Sequence, residues 1–289
     1  MIPDDEDRPP EGLGDLPRRP RGIFRPQVLP TLLTLGNLFC GYLAIAKAAD
    51  AMGVPRVPGG AAPEMLRLLE FSGWMIFLGM VFDALDGSVA RLTGGASAMG
   101  NVLDSIADVV TFGAAPAFLA KCIAEGVGEM PDHRQTLFFS VFFALMAALR
   151  LARYSSHRGD PEEASLWFEG LPTPGAAGVI AGMAVLLQER DWGPVAAAVR
   201  WLPFGILALG LLMVSKLPYA HVSNRFLRGR KPVTYLVVSL AVLVLALAYH
   251  FEAALAAGML AYALSGPAVG LLRRRGRRGT AVPAGKGGA

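Results

Sequence analysis

The sequence predicts an all-α, polytopic integral-membrane helix bundle of about eight transmembrane helices, with both termini in the cytoplasm. Three observations carry this. Of the 289 residues, 53% are apolar and only 17% are charged, and mean hydropathy is +0.45; soluble domains carry about 25% charged residues. The apolar residues gather into runs near the ~20 residues that cross a bilayer as a helix. Lys and Arg are lopsided: with a cytoplasmic N-terminus, 20 of the 27 fall in cytoplasmic segments and 7 outside, as positive-inside topology requires.

Residues 1–27 are an acidic, then Pro/Arg-rich tail. Pro3, Pro9, Pro10, Pro17, Pro20 and Pro26 exclude a long helix there. The predicted spans are 28–49, 70–90, 99–121, 136–154, 171–189, 201–215, 233–250 and 253–271, the sixth being short. No cleaved leader is expected, because the first apolar run follows a long tail and lacks a small-residue cleavage site. A Gly/Pro-rich external loop covers 50–66, and 92–98 is a tight cytoplasmic turn between spans two and three. Polar cytoplasmic loops follow at 155–170 and, strongly basic, at 216–232. The domain organisation is therefore a tail (1–27), a membrane domain (28–272) and a basic, disordered tail (273–289).

The positive charge does not indicate a nucleic-acid partner. The bases flank spans, where anionic lipid headgroups attract them. Cys40 and Cys122 lie in apolar segments and read as small core residues. His133, His157, His221 and His250 are scattered and form no metal-ligand spacing.

Four carboxylates break the apolar pattern. Asp83 and Asp86 sit near the cytoplasmic end of span two, and Asp104 and Asp108 near the start of span three. One carboxylate at a bilayer helix centre costs about 2.5–3.5 kcal/mol, so four demand cationic company. Asp83 and Asp86 are i, i+3 on one helix face. Ser97, Gly100, Asp104, Asp108 and Thr111 form a polar stripe on the next helix, and the short turn makes the two faces neighbours. An all-oxygen set suits hard divalent cations, Mg²⁺ or Mn²⁺, and two such ions would clamp an in-line phosphoryl displacement. Gly87, Ala90 and Gly100 leave room for a flat, charged ligand such as a nucleotide diphosphate, with Arg91 placed to meet phosphate.

The pattern Asp83-x2-Asp86-Gly87-x2-Ala90-Arg91-x8-Gly100-x3-Asp104-x3-Asp108 resembles, at every fixed position, the signature of the CDP-alcohol phosphotransferase family. Leu29–Gly41, Leu103–Ala117, Gly170–Ala177 and Met213–Tyr219 are similar to its membrane-bound phosphatidylserine synthase branch. Thr111, where serine is common, and the Pro-rich N-terminal tail, where an amphipathic interfacial helix is common, depart from it.

The resemblance implies an enzyme that moves a phosphatidyl group from CDP-diacylglycerol to L-serine and releases CMP. It implies two divalent cations on Asp83, Asp86, Asp104 and Asp108, and CDP contacts from Gly87, Arg91, Ser97 and Gly100, with Thr34 and Asn37 as weaker nucleotide candidates. The residues themselves do not choose a general base among four carboxylates; the resemblance gives that role to Asp108. It also implies a homodimer in the bacterial inner membrane with its active site at the cytoplasmic face. Arg150 and Arg153 end span four, where snorkelling to the interface and a bidentate grip on the acceptor carboxylate are both consistent, and Lys216 is open in the same way.

Two other functions fit parts of the pattern. A sibling transferase would use glycerol 3-phosphate, inositol phosphate or another alcohol, but a phosphorylated acceptor calls for a denser cationic pocket. A divalent-cation transporter would use the four aspartates as its transport site, yet would not need Gly87, Arg91 and Gly100 at fixed gaps.

Overall fold

The computed structural model describes residues 28–55, 57, 61–93, 97–127, 133–156, 167–187, 198–220 and 251–279. They form α1 (Val28–Met52), α2 (Pro63–Thr93), α3 (Ala98–Asp108), a π-helical segment (Val109–Ala114), α4 (Ala115–Gly126), α5 (His133–Ser156), β1 (Trp167–Glu169), α6 (Thr173–Leu186), α7 (Leu202–Val214), β2 (Pro218–Ala220) and α8 (Phe251–Gly279).

Among the described residues, five stretches are long and apolar enough to cross a membrane: Val28–Met52, Pro63–Ala90, the continuous Ala98–Gly126, His133–Ser155 and Phe251–Gly270. This is an integral membrane protein, helical in its apolar part as expected. Thr173–Leu186 and Leu202–Val214 are apolar but shorter. The 14 residues of α6 span about 21 Å, less than a ~30 Å hydrocarbon core. The predicted seventh span, 233–250, lies outside the described residues.

Three features differ from the sequence reading. The 155–170 loop contributes a strand: β1 pairs antiparallel with β2, with Phe168 opposite Tyr219. Backbone hydrogen bonding across distant residues, which carries no local periodicity, makes this ribbon. Second, α2 begins at Pro63, two turns before the predicted span, with proline in the first turn where no N–H is needed. Third, α8 continues to Gly279, so Arg273–Arg278 extend the last helix where a disordered tail was expected. Arginine is a good helix former, and the next proline is Pro283.

Small residues let the helices approach closely. A Cβ at Gly73 on α2 would lie 2.7 Å from the Ala181 carbonyl of α6. Gly178 and Gly182 on the same α6 face α8, where added Cβ atoms would meet Met259 Sδ at 2.7 Å and Ala256 at 2.9 Å. Thus α6 is held between α2 and α8, while α7 packs on α5, Gly210 against the Phe142 ring. At the far end of the α4–α5 pair, buried Glu125 bonds Lys121 Nζ and His133 Nδ1, each at 2.8 Å, tying the two helices together.

The π segment sets the direction of the acidic stripe. Pro116, in the first turn of α4, has no N–H to donate to Phe112. The ladder widens instead, and Ala115 N–H reaches back five residues to the Val110 carbonyl. Thr111, Phe112 and Gly113 become buried against the neighbouring helices.

Candidate active site

Asp83 on α2 and Asp104 and Asp108 on α3 are half-buried, and one oxygen from each lies within 4.8 Å of the other two. Two unit charges at that distance repel by roughly 3 kcal/mol at an effective dielectric near 20. Three such carboxylates therefore call for a cation between them, and hard oxygen donors at this spacing fit a divalent ion such as Mg²⁺ or Mn²⁺.

Asp86 stands just beside this trio. It is 5% exposed, within electrostatic reach of Asp104, and its Oδ2 accepts a 2.9 Å hydrogen bond from Thr34 Oγ1 of α1. A buried carboxylate without a donor would be costly, and Thr34 supplies one across the helix interface.

Asn37, one turn further along α1, is fully buried. Its Nδ2 donates to Asp108 Oδ1 at 3.1 Å, and its main-chain carbonyl accepts from Thr111 Oγ1 at 2.9 Å. Its Oδ1 has no hydrogen-bond partner among the described residues. Thr34 and Asn37, read from sequence as nucleotide candidates, are thus placed on the carboxylates themselves.

This contact depends on two glycines that sequence reasoning did not single out. A Cβ at Gly41 would run into the Thr111 hydroxyl and sit 2.8 Å from its Cα. One at Gly79 would lie 2.5 Å from Thr111 Cγ2 and 3.1 Å from Asn37 Oδ1. Glycine at both positions lets α1, α2 and the π segment close on one another.

Ser97 caps α3: its Oγ accepts from Gly100 N–H at 3.0 Å. Gly100 is half-buried above this cap, and Gly87 is half-buried on α2 beside Asp86. Arg91 lies in the last turns of α2, and its side chain falls outside the described residues.

Of the three acceptor-pocket candidates, Arg150 is the half-buried one. Its Nη1 donates to Thr173 Oγ1 of α6 at 3.0 Å, and it lies within electrostatic reach of Asp108, Tyr154 and Tyr262. Arg153 and Lys216 are exposed. Tyr262 comes from α8, its ring 3.0 Å from where a Gly175 Cβ would be. It also tilts against Tyr219 of β2, whose hydroxyl donates to the Ala263 carbonyl at 2.9 Å. Burial and Tyr262 push the Tyr219 phenol up to about 12, so it stays a neutral donor.

A helical membrane bundle with an oxygen-only acidic cluster, and a half-buried guanidinium in its electrostatic reach, suits metal-assisted handling of a charged ester within the bilayer. The chain belongs to the CDP-alcohol phosphatidyltransferase family, whose profile matches residues 27–265. It is 35% identical over 163 residues to a CDP-diacylglycerol–serine O-phosphatidyltransferase of Methanocaldococcus jannaschii, covering 56% of this chain and 69% of the relative. The proteins of the same description from Bacillus subtilis and Saccharomyces cerevisiae are 30% and 40% identical, over 67% and 54% of this chain and 90% and 53% of the relatives. Membership of a transferase family removes the cation-transport reading.

Proposed function

We propose that this protein transfers the phosphatidyl group of CDP-diacylglycerol to the hydroxyl of L-serine, forming phosphatidylserine and CMP. The observation that carries the reading is the Asp83–Asp104–Asp108 oxygen cluster, with the half-buried guanidinium of Arg150 in electrostatic reach of Asp108. The names of the relatives support the two substrates.

Asp83, Asp86, Asp104 and Asp108 would hold two divalent cations, Mg²⁺ or Mn²⁺. When bound, these supply positive charge against the diphosphate and the departing CMP. Gly87 and Gly100 give the nucleotide bare backbone to lie on, and Ser97 and Arg91 contact it. Asp108 accepts the proton of the serine hydroxyl, whose oxygen attacks the phosphorus bearing the diacylglycerol. The Asn37 amide keeps the Asp108 carboxylate turned toward the cluster. Arg150 grips the serine carboxylate.

The donor enters sideways from the lipid and the acceptor comes from water, so the reaction belongs at the cytoplasmic interface of the inner membrane. The same reading includes eight spans, cytoplasmic termini and a homodimer. Among the described residues Arg153 and Lys216 are exposed and Arg150 is half-buried, which favours an acceptor without a phosphate.

The test is CMP release by the detergent-solubilised protein given CDP-diacylglycerol and Mn²⁺ or Mg²⁺, with L-serine or a panel of other alcohols. Serine-dependent release that vanishes in Asp108→Asn is expected. Release driven by another alcohol would discard serine as the acceptor.

A further inference from the structure

Arg150 is half-buried with an incompletely satisfied guanidinium. Among the described residues no carboxylate forms an ion pair with it, and its Nε is buried with no hydrogen-bond partner. Its guanidinium abuts Thr173, the first residue of α6, so it also faces the positive end of that helix. A buried cation normally carries a paired anion, and helix N-termini attract anions rather than cations. Among the described residues no anion bonds the guanidinium directly, which leaves it able to take one from a ligand.

Thr173 decides which edge of the guanidinium that anion meets. It engages Nη1, the nitrogen on the Cδ side, and so leaves Nε and Nη2, the side-on fork that matches a carboxylate in bidentate fashion. The hydroxyl itself is set rigidly. Thr173 is fully buried between Pro172 and Pro174, whose rings restrict the local backbone. Just upstream, Leu171 N–H bonds the Leu212 carbonyl at 3.0 Å and Gly170 N–H bonds Leu217 at 2.9 Å. Gly170 has φ +78°, and a Cβ there would strike the Met213 carbonyl, so the turn entering α6 is fixed.

We infer that Thr173 is a positioning residue for acceptor selection: it orients Arg150 so that the side-on fork receives the acceptor carboxylate. The inference rests on the serine-transfer reading above and names the residue that would make it selective.

The experiment uses full-length protein in detergent with CDP-diacylglycerol and Mn²⁺, comparing L-serine with serinol. Serinol keeps the amine and hydroxymethyl group but replaces the carboxylate by a second hydroxymethyl. Variants are Thr173→Val, Thr173→Ala, Thr173→Ser, Arg150→Ala and Arg150→Ala/Thr173→Val. Removing the hydroxyl should raise the KM for serine about tenfold, the worth of one hydrogen bond to a charged group. The KM for CDP-diacylglycerol and the serinol rate should stay within about twofold, since neither uses the fork. Thr173→Ser should restore the serine KM, and adding Thr173→Val to Arg150→Ala should change nothing further.

An equal loss with serine and serinol would overturn the inference, as would an unchanged serine KM or a full added effect in the Arg150→Ala background. Thr173→Ala keeps the test open should Thr173→Val fail to fold. Wild-type release that depends on a carboxylate-free acceptor and not on serine would sink the serine reading and this inference together. Serine dependence in wild type with indifferent Thr173 variants would sink the inference alone.

Discussion

Asn37 and Asp108, 71 residues apart in the chain, meet through a 3.1 Å hydrogen bond from the amide of one to the carboxylate of the other. The first helix thereby orients an aspartate of the third. The same Asn37 receives the Thr111 hydroxyl on its carbonyl, so side chain and backbone of one residue fix both ends of the turn that carries Asp108. Removing the amide in Asn37→Ala should lower kcat and cation affinity about 10- to 100-fold, the usual effect of losing a group that orients a metal-binding side chain. A Mn²⁺ titration of CMP release reads both; an unchanged midpoint and kcat would contradict the role.

Thr34 gives a stability prediction. Thr34→Val leaves the buried Asp86 carboxylate without its α1 donor and should cost roughly 1–3 kcal/mol. Thr34→Ser should recover most of it. Thermal unfolding in detergent with chelator present is the measurement, and equal melting of all three proteins would refute the assignment.

The glycine contacts predict a rescue. Gly79→Ala places a methyl 2.5 Å from Thr111 Cγ2 and should destabilise by about 1–3 kcal/mol. Thr111→Ser deletes that Cγ2 and keeps the hydroxyl bonded to Asn37, so the double variant should regain stability and activity together. A double variant no better than Gly79→Ala would show that the clash lies elsewhere.

Cation binding should depend on the trio as a unit. Mn²⁺ or Mg²⁺ should raise the melting temperature of chelator-treated wild type, since a ligand that binds only the folded state stabilises it by mass action. Asp83→Asn, Asp104→Asn and Asp108→Asn should each abolish most of that shift. A full shift in any one variant would remove that residue from the cation site.

The turn into α6 carries a fifth test. Gly170→Ala forces a left-handed backbone onto alanine and a methyl into the Met213 carbonyl. It should destabilise by about 1–3 kcal/mol and raise the KM for the acceptor more than that for CDP-diacylglycerol, because the turn sets Thr173. Equal changes in both constants would argue against the link.

Composition and periodicity, read without a structure, predicted eight spans and singled out the four aspartates; among the described residues five of those spans are membrane-crossing helices, two are the shorter α6 and α7, and 233–250 lies outside them. These are legible because hydrophobicity and helical spacing are local properties, and because carboxylates in an apolar run are costly wherever they fall. Local pattern could not say that Asp86 is held by Thr34 while Asp83, Asp104 and Asp108 draw together, since the Thr34–Asp86 pair spans 52 residues. Nor could it separate Arg150 from Arg153, three residues on; both read as basic residues at a helix end. Packing separates them, half-burying one against Thr173 of α6 and leaving the other exposed. The π segment at 109–114 likewise arises from Pro116 acting within a helix that Gly41 and Gly79 allow to close in. Sequence alone determined which residues could do chemistry and on which helices they ride. Tertiary packing decided which of them meet, because hydrogen bonds between helices depend on approach and rotation that no single helix encodes.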